Sequence, residues 1–212
     1  MRRRGASFRR ARRVPAKAPD EPRQARFKKA LEKVRLLAEC GQVDVMHGDE
    51  SGFCLVPPLP YLWQIKGQTV SLPAQAHAKR LNVLGFWREA GVEAARLFHH
   101  LLPGRLKSCH FVQAVEEQVL PFLVRPTVLL VDNATLHRCA PVLQKRHHWK
   151  AQGLHVWFLP PYCPHLNRIE VLWKQCKYHW LEPADYADFP TLCAAVSRNL
   201  QQVNSRCLTT FV

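Results

Sequence analysis

The spacing of apolar residues changes rhythm several times along the chain. From Arg23 to Glu39 the residues Phe27, Leu31, Val34 and Leu37 recur at helical spacing, which predicts one amphipathic helix ending near Gly41. Three short runs follow, VDVMHGDESGF, YLWQIKGQTV and RLNVLGFW, each rich in β-formers and separated by Pro, Gly and polar residues. Such punctuation predicts an antiparallel meander. Next, EAARLFHHLL and SCHFVQAVEEQVLPFL read as helical, PTVLLVDN as a strand, roughly His137 to Ala151 as a helix and LHVWFLP as a strand. Near-continuous apolar runs such as VLLV and VWFL suit strands covered on both faces. The expected fold is therefore α/β, a mixed sheet of three antiparallel strands continued by alternating strands and helices, flanked by helices.

Composition changes that picture mainly at the N-terminus. The 212 residues include 31 Lys and Arg against 16 Asp and Glu, a formal charge of +15, so a polyanion is the first partner to consider. Residues 1–39 alone hold 14 of those cations and 4 of the acids. The chain divides into a basic arm with one helix, residues 1–40, and a folded domain, residues 41–212. The stretch MRRRGASFRRARR, with seven Arg and no acid, marks Arg9, Arg10, Arg12 and Arg13 as candidate phosphate contacts, the alternative being a solvated tail. With almost no apolar content to offset its ordering entropy, this half of the arm is expected to be flexible. No apolar run is long enough to span a bilayer and no secretory signal is visible, so the expected location is cytoplasmic, with the nucleoid. Eight cysteines occur without a CxxC pair and read as reduced thiols.

Acids are scarce, and three stand out at the ends of apolar elements: Asp49 in HGDESGF, Asp132 closing VLLVDN, and Glu170 opening a helix in PYCPHLNRIEVLW. An ionised carboxylate there suffers a desolvation penalty unless a cation or several donors compensate it. Three together would repel one another, and hard oxygen ligands of this kind suit Mg2+ or Mn2+. Each also has a purely structural explanation. Asp49 precedes turn-like Glu50-Ser51-Gly52, Asp132-Asn133 closes a strand, and Asn167-x-x-Glu170 has capping-box spacing. Strand alternation separates Asp49, on the face of Val45 and His47, from Glu50, on the face of Asp44, and Asp49 is favoured.

With HGDESGF at 47–53, VLLVDNATLH at 128–137 and LPPYCPHLNRIEVLWKQCK at 159–177, the sequence resembles the DDE transposases of the mariner-related insertion sequences, the insertion sequence six-thirty branch. The ordered trio carries the resemblance, which extends from about Asp44 to the C-terminus. It implies an RNase H-like catalytic domain and a metal-binding catalytic triad of Asp49, Asp132 and Glu170. Two Mg2+ or Mn2+ ions about 3.5–4 Å apart would serve cleavage and strand transfer at transposon ends. The implied partners are double-stranded DNA, both transposon ends and target, and a second copy of the chain. Members of the family usually carry an N-terminal helix-turn-helix region, and no two-helix unit can be drawn in the first 39 residues, so a separate helix-turn-helix chain is a further expected partner. The alternative is a catalytically silent DNA-binding remnant or regulator of an intact transposase.

Around this trio, Asn133 and His137 are candidates to orient substrate or ligands, against helix capping and a surface histidine. Lys174 and Lys177 follow Glu170 on roughly one helical face and are candidate DNA contacts, against a plain basic surface. Ile169, Leu172, Trp173 and Cys176 form the expected apolar face of that helix, and Trp63 and Trp87 are core candidates, the alternative being a stacking platform for an unpaired base. The pairs His99-His100 and His147-His148 are expected on the surface.

Overall fold

The computed structural model describes residues 20–58, 66–67 and 79–204. Arg9, Arg10, Arg12 and Arg13 lie outside the described residues, as does YLWQIKGQTV apart from Lys66 and Gly67. The elements follow the order α1 (Glu21–Glu39), β1 (Asp44–Cys54), β2 (Arg80–Arg88), β3 (Arg96–Pro103), α2 (Ser108–Gln118) and β4 (Thr127–Val131). The chain continues through α3 (Thr135–Arg138), α4 (Ala140–Ala151), β5 (Leu154–Phe158), α5 (Ile169–Gln175) and α6 (Phe189–Val203). The five strands form one mixed sheet in the order β3-β2-β1-β4-β5. Strands β1, β2 and β3 pair antiparallel, while β4 and β5 continue from β1 in parallel.

One expectation is corrected. EAARLFHHLL, read as helical, supplies strand β3, which forms an eight-residue antiparallel ladder from Leu81–Pro103 to Arg88–Arg96. Its Ala, Glu and Leu favour a helix locally, but pairing and burial of Leu97 and Phe98 against the sheet override that preference. His99 and His100 therefore sit half-buried in β3 rather than on the surface, whereas His147 and His148 are exposed on α4.

Both faces of the sheet are covered. On one, Met46, Phe86, Leu129 and Val131 pack with Phe111, Val142 and Trp149 from α2 and α4. On the other, Phe53, Val83 and Trp87 meet Ile169, Leu172, Trp173 and Cys176 of α5 and its π-helical extension, with Leu192 and Val196 of α6. Beside them α1 lays Leu31 on Val45, Val128 and Leu130. Helix α1 starts under Asp20, whose side chain accepts from the Arg23 amide, and stops at Gly41, whose φ of +72° is left-handed and suits glycine. At roughly 25 cal/mol per Å2 of apolar surface, burying each such side chain contributes about 1.5–3 kcal/mol, and these layers fix where the strand ends point.

A carboxylate cleft at the strand ends

Strands β1 and β4 run side by side with Asp44 opposite Thr127 and His47 opposite Leu130. Beyond that register, Asp49 on β1 and Asp132 just after β4 come to the same edge of the sheet. Glu170, in the first turn of α5, reaches it from above, and all three line one cleft of about 300 Å3. Its other wall is Leu159–Pro164, where Tyr162 is exposed and holds a left-handed φ of +62°, strained for a residue with a β-carbon. The fold thus brings together the three acids that lie far apart in sequence. Among the described residues, no three His, Cys, Asp or Glu side chains are gathered tightly enough to hold one metal ion between them.

Each acid is held differently. Asp49 Oδ2 accepts the indole N–H of Trp173 at 3.1 Å. Burial first, then the charge of Glu50 and those of Asp132 and Glu170, push its carboxyl up to about 7 despite a backbone hydrogen bond from Glu50. Asp132 Oδ1 accepts from the Ala134 amide at 2.9 Å and from His137 Nδ1 at 2.7 Å. The His137 hydrogen bond, working against burial, holds the Asp132 carboxyl below its usual range. Glu170 is raised, mainly by burial and also by Asp132, with Lys174 opposing.

His137 is fully buried, and it is not a surface histidine. Its Nε2 stands 3.3 Å from Glu50 Oε2 and its ring packs 4.6 Å from the centre of Phe111. Burial would lower its pKa, but the Asp132 hydrogen bond and the Glu50 charge outweigh that and raise it to about 9. Protonated, it orients Asp132 and compensates Glu50. Glu50 itself points to this opposite face, as strand alternation requires.

Two further contacts set the height of Glu170 above Asp49. Asn167 Nδ2 donates to the Gly48 carbonyl at 3.2 Å, and the Arg168 amide donates to His47 Nδ1 at 3.2 Å. Because an amide N–H can only donate, His47 Nδ1 is unprotonated and its Nε2–H faces Glu89 Oε1 at 2.6 Å. Glu89 in turn binds Arg35 of α1 at 2.8 Å. The capping-box explanation of Glu170 is thereby corrected. The N-cap position of α5 is Arg168, without a side-chain cap, and the Asn167 side chain is spent on β1.

Asn133 donates to the Leu159 carbonyl and accepts from Arg138, so it fastens the two walls of the cleft. Lys174 is exposed one turn from Glu170. Lys177 lies half-buried over the Phe53 ring at 5.3 Å. Burial and the Arg80 charge lower its pKa, against Cys176 and Asp49. Sequence reading missed His47, Glu89 and Asn167 as positioning groups because their partners are more than forty positions away.

The donor chemistry fits a divalent cation. Three carboxylates share one cleft, Asp49 is driven toward protonation by burial first, then by Glu50, with Asp132 and Glu170 adding to it, and the buried Asn167 Oδ1 has no partner among the described residues. Fold and cleft together define an RNase H-like domain with three carboxylates at one edge of its mixed sheet. The chain belongs to the DDE superfamily endonucleases, whose sequence profile matches residues 44–193. Its fold is shared with the mariner Mos1 paired-end complex with Mg, at 15% identity and a TM-score of 0.65, covering 96% of this chain and 65% of that one. The Mos1 transposase paired-end complex with left transposon end matches at 17% identity and a TM-score of 0.56, covering 97% and 66%. This chain thus spans about two thirds of those transposase chains. No curated protein matches its sequence.

Proposed function

We propose that this chain is the catalytic domain of a DNA transposase that cuts phosphodiester bonds at transposon ends and joins the freed 3′ end to target DNA. The observation that carries this reading is the convergence of Asp49, Asp132 and Glu170 on one cleft of a DDE superfamily endonuclease. Asp49 and Asp132 together, with Glu170, are the residues that would hold Mg2+ or Mn2+. Bound there, the metal supplies Lewis-acid stabilisation of the leaving oxygen and lowers the pKa of the attacking water or hydroxyl.

The protein's own side chains do the positioning. His137 fixes one Asp132 oxygen and leaves the other to the cleft, and Trp173 does the same for Asp49. Asn167 and His47 hold the start of α5 so that Glu170 closes the site. Lys174 and Lys177 are assigned to phosphates flanking the reacting one, and Arg9, Arg10, Arg12 and Arg13 to phosphates further away. Leu31 of α1 shares a core cluster with Leu159 of the cleft wall, so the helix following the arm passes the cleft. The partners in this reading are double-stranded DNA, a second copy of the chain, and a separate helix-turn-helix chain for end recognition, in the cytoplasm with the nucleoid. Among the described residues no helix is long and apolar enough to cross a membrane.

The test is Glu170→Gln, assayed on end-labelled DNA carrying the element's terminal repeats with Mg2+. Glutamine keeps the size of the side chain and removes the charge, so the variant folds, binds DNA and no longer cuts. Full cleavage by it refutes the triad, and wild-type binding without cutting under Mg2+ or Mn2+ favours the silent remnant.

A further inference from the structure

We infer that a basic track along the outer edge of the sheet carries the phosphodiester backbone of duplex DNA away from the cleft, an inference that rests on the DNA reading above. The track begins at Asn133 on the cleft wall, whose Oδ1 accepts a hydrogen bond from Arg138 at 3.3 Å. The Arg138 guanidinium lies 5.5 Å from the centre of the Phe158 ring, and the Arg146 guanidinium lies 5.1 Å from the same centre. Arg146 also donates to the Val156 carbonyl at 3.1 Å, which fixes it on the outermost strand β5. Beyond it opens a groove of about 510 Å3 between α4 and β5, lined by Arg146, His147, Lys150 and His155.

Charge bookkeeping leaves this edge without counter-ions. Several cations that hold the fold are paired: Arg35 with Glu89, Arg88 with Glu93, Arg125 with Asp44. Within α4 itself Lys145 turns to Glu116 of α2 at 2.8 Å. Among the described residues, Arg138, Arg146, His147, Lys150 and His155 have no carboxylate partner, and no acid lines the groove. Two guanidinium groups sharing one aromatic ring repel each other unless an anion lies between or along them, and their planar forks suit phosphate oxygens. The twelve residues of α4 span about 18 Å, close to five base-pair steps of roughly 3.4 Å. A duplex whose scissile phosphate sits in the cleft therefore meets this row of donors within its next half turn.

The experiment measures binding of a labelled 30-base-pair duplex by fluorescence anisotropy from 50 to 300 mM NaCl without divalent metal, so that cutting plays no part. Arg146→Gln with Lys150→Gln is compared with Arg105→Gln with Lys107→Gln, which removes the same charge beyond β3 at the opposite edge. The track variant should show a salt slope shallower by about 2 and an affinity at 0.1 M salt lower by about tenfold or more, the opposite-edge variant staying within about twofold of wild type. Because Arg146 also ties α4 to β5, His147→Glu with Lys150→Glu, both at exposed positions, repeats the test without touching that bond. Track variants indistinguishable from the opposite-edge control overturn the inference while leaving the DNA reading standing. Failure of the wild-type chain to bind any duplex overturns the DNA reading itself.

Discussion

Trp173 packs its indole on Gly85 so closely that a β-carbon there would stand 2.6 Å from the ring. Gly85 is also the β2 partner of Asp49 in the antiparallel ladder, so the missing side chain makes the room through which the indole N–H reaches that carboxylate. Gly85→Ala should push the indole off Asp49. The expected result is a loss of about 1–3 kcal/mol in urea unfolding from overpacking, together with a fall in cleavage larger than in DNA affinity. Trp173→Phe serves as the comparison, since it keeps an aromatic side chain while removing the donor and part of the ring volume. Gly85→Ala with full cleavage would show that the indole contact is dispensable.

The link between α1 and the sheet predicts an acid sensitivity. Burial alone would raise the Glu89 carboxyl, but hydrogen bonds from His47 and Arg35 outweigh it and lower the pKa from 4.5 to about 2. A carboxyl lowered on folding adds stability above its unfolded value, and that stability disappears as pH falls through the folded one. The gap corresponds to roughly 3 kcal/mol, present above about pH 5 and lost toward pH 2. Denaturant unfolding of wild type and Glu89→Gln should show a wild-type advantage at pH 7 that shrinks steadily below pH 5. A difference independent of pH would remove Glu89 from the account.

What could be read from sequence follows from the range of the interactions. Asp132 closes a run, Thr127–Val131, buried along its whole length, and such a run announces both the strand and its end. The choice of Asp49 over Glu50 needed only the two-residue period of β1, and the structure puts them on opposite faces, Asp49 toward Trp173 and Glu50 toward His137. Arg96–Pro103 was illegible because its own residues favour a helix and only the ladder to β2 makes it a strand. The partners of His47 and Asn167, and the Glu50 partner of His137, were equally hidden. Gly48 and Asn167 lie 119 positions apart, and no local pattern announces that their backbone and side chain meet.

That contact carries the next prediction. Asn167, beside His47, is a side chain that joins β1 to the start of α5, and its loss leaves the Gly48 carbonyl buried without its donor. Asn167→Ala should cost about 1–3 kcal/mol of stability and, by letting α5 lift, reduce cleavage at least tenfold with unchanged DNA affinity. Single-turnover cleavage beside an anisotropy titration checks this. Equal losses in binding and cutting would assign Asn167 to DNA contact instead of to the placing of Glu170.

Asp49 sets up a trade between stability and metal binding. It is half-buried, it is repelled by Glu50, Asp132 and Glu170, and its carboxyl is driven up to about 7, so in metal-free protein near neutral pH it is a net liability. Asp49→Asn keeps an oxygen for the Trp173 N–H and removes the charge, so the metal-free variant should melt higher than wild type. Mg2+ should then reverse the order. A ligand present at ten times its dissociation constant adds about 1.4 kcal/mol to the form that binds it, which for a domain of this size raises the wild-type melting midpoint by about 3–6 °C. The Asn variant should gain far less. Differential scanning fluorimetry with and without Mg2+, with Ca2+ and NaCl series to separate site binding from ionic strength, reads both halves. An Asn variant less stable than wild type without metal would mean that the Asp49 charge is already compensated inside the protein, and the case for a cation in this cleft would lose its strongest physical support.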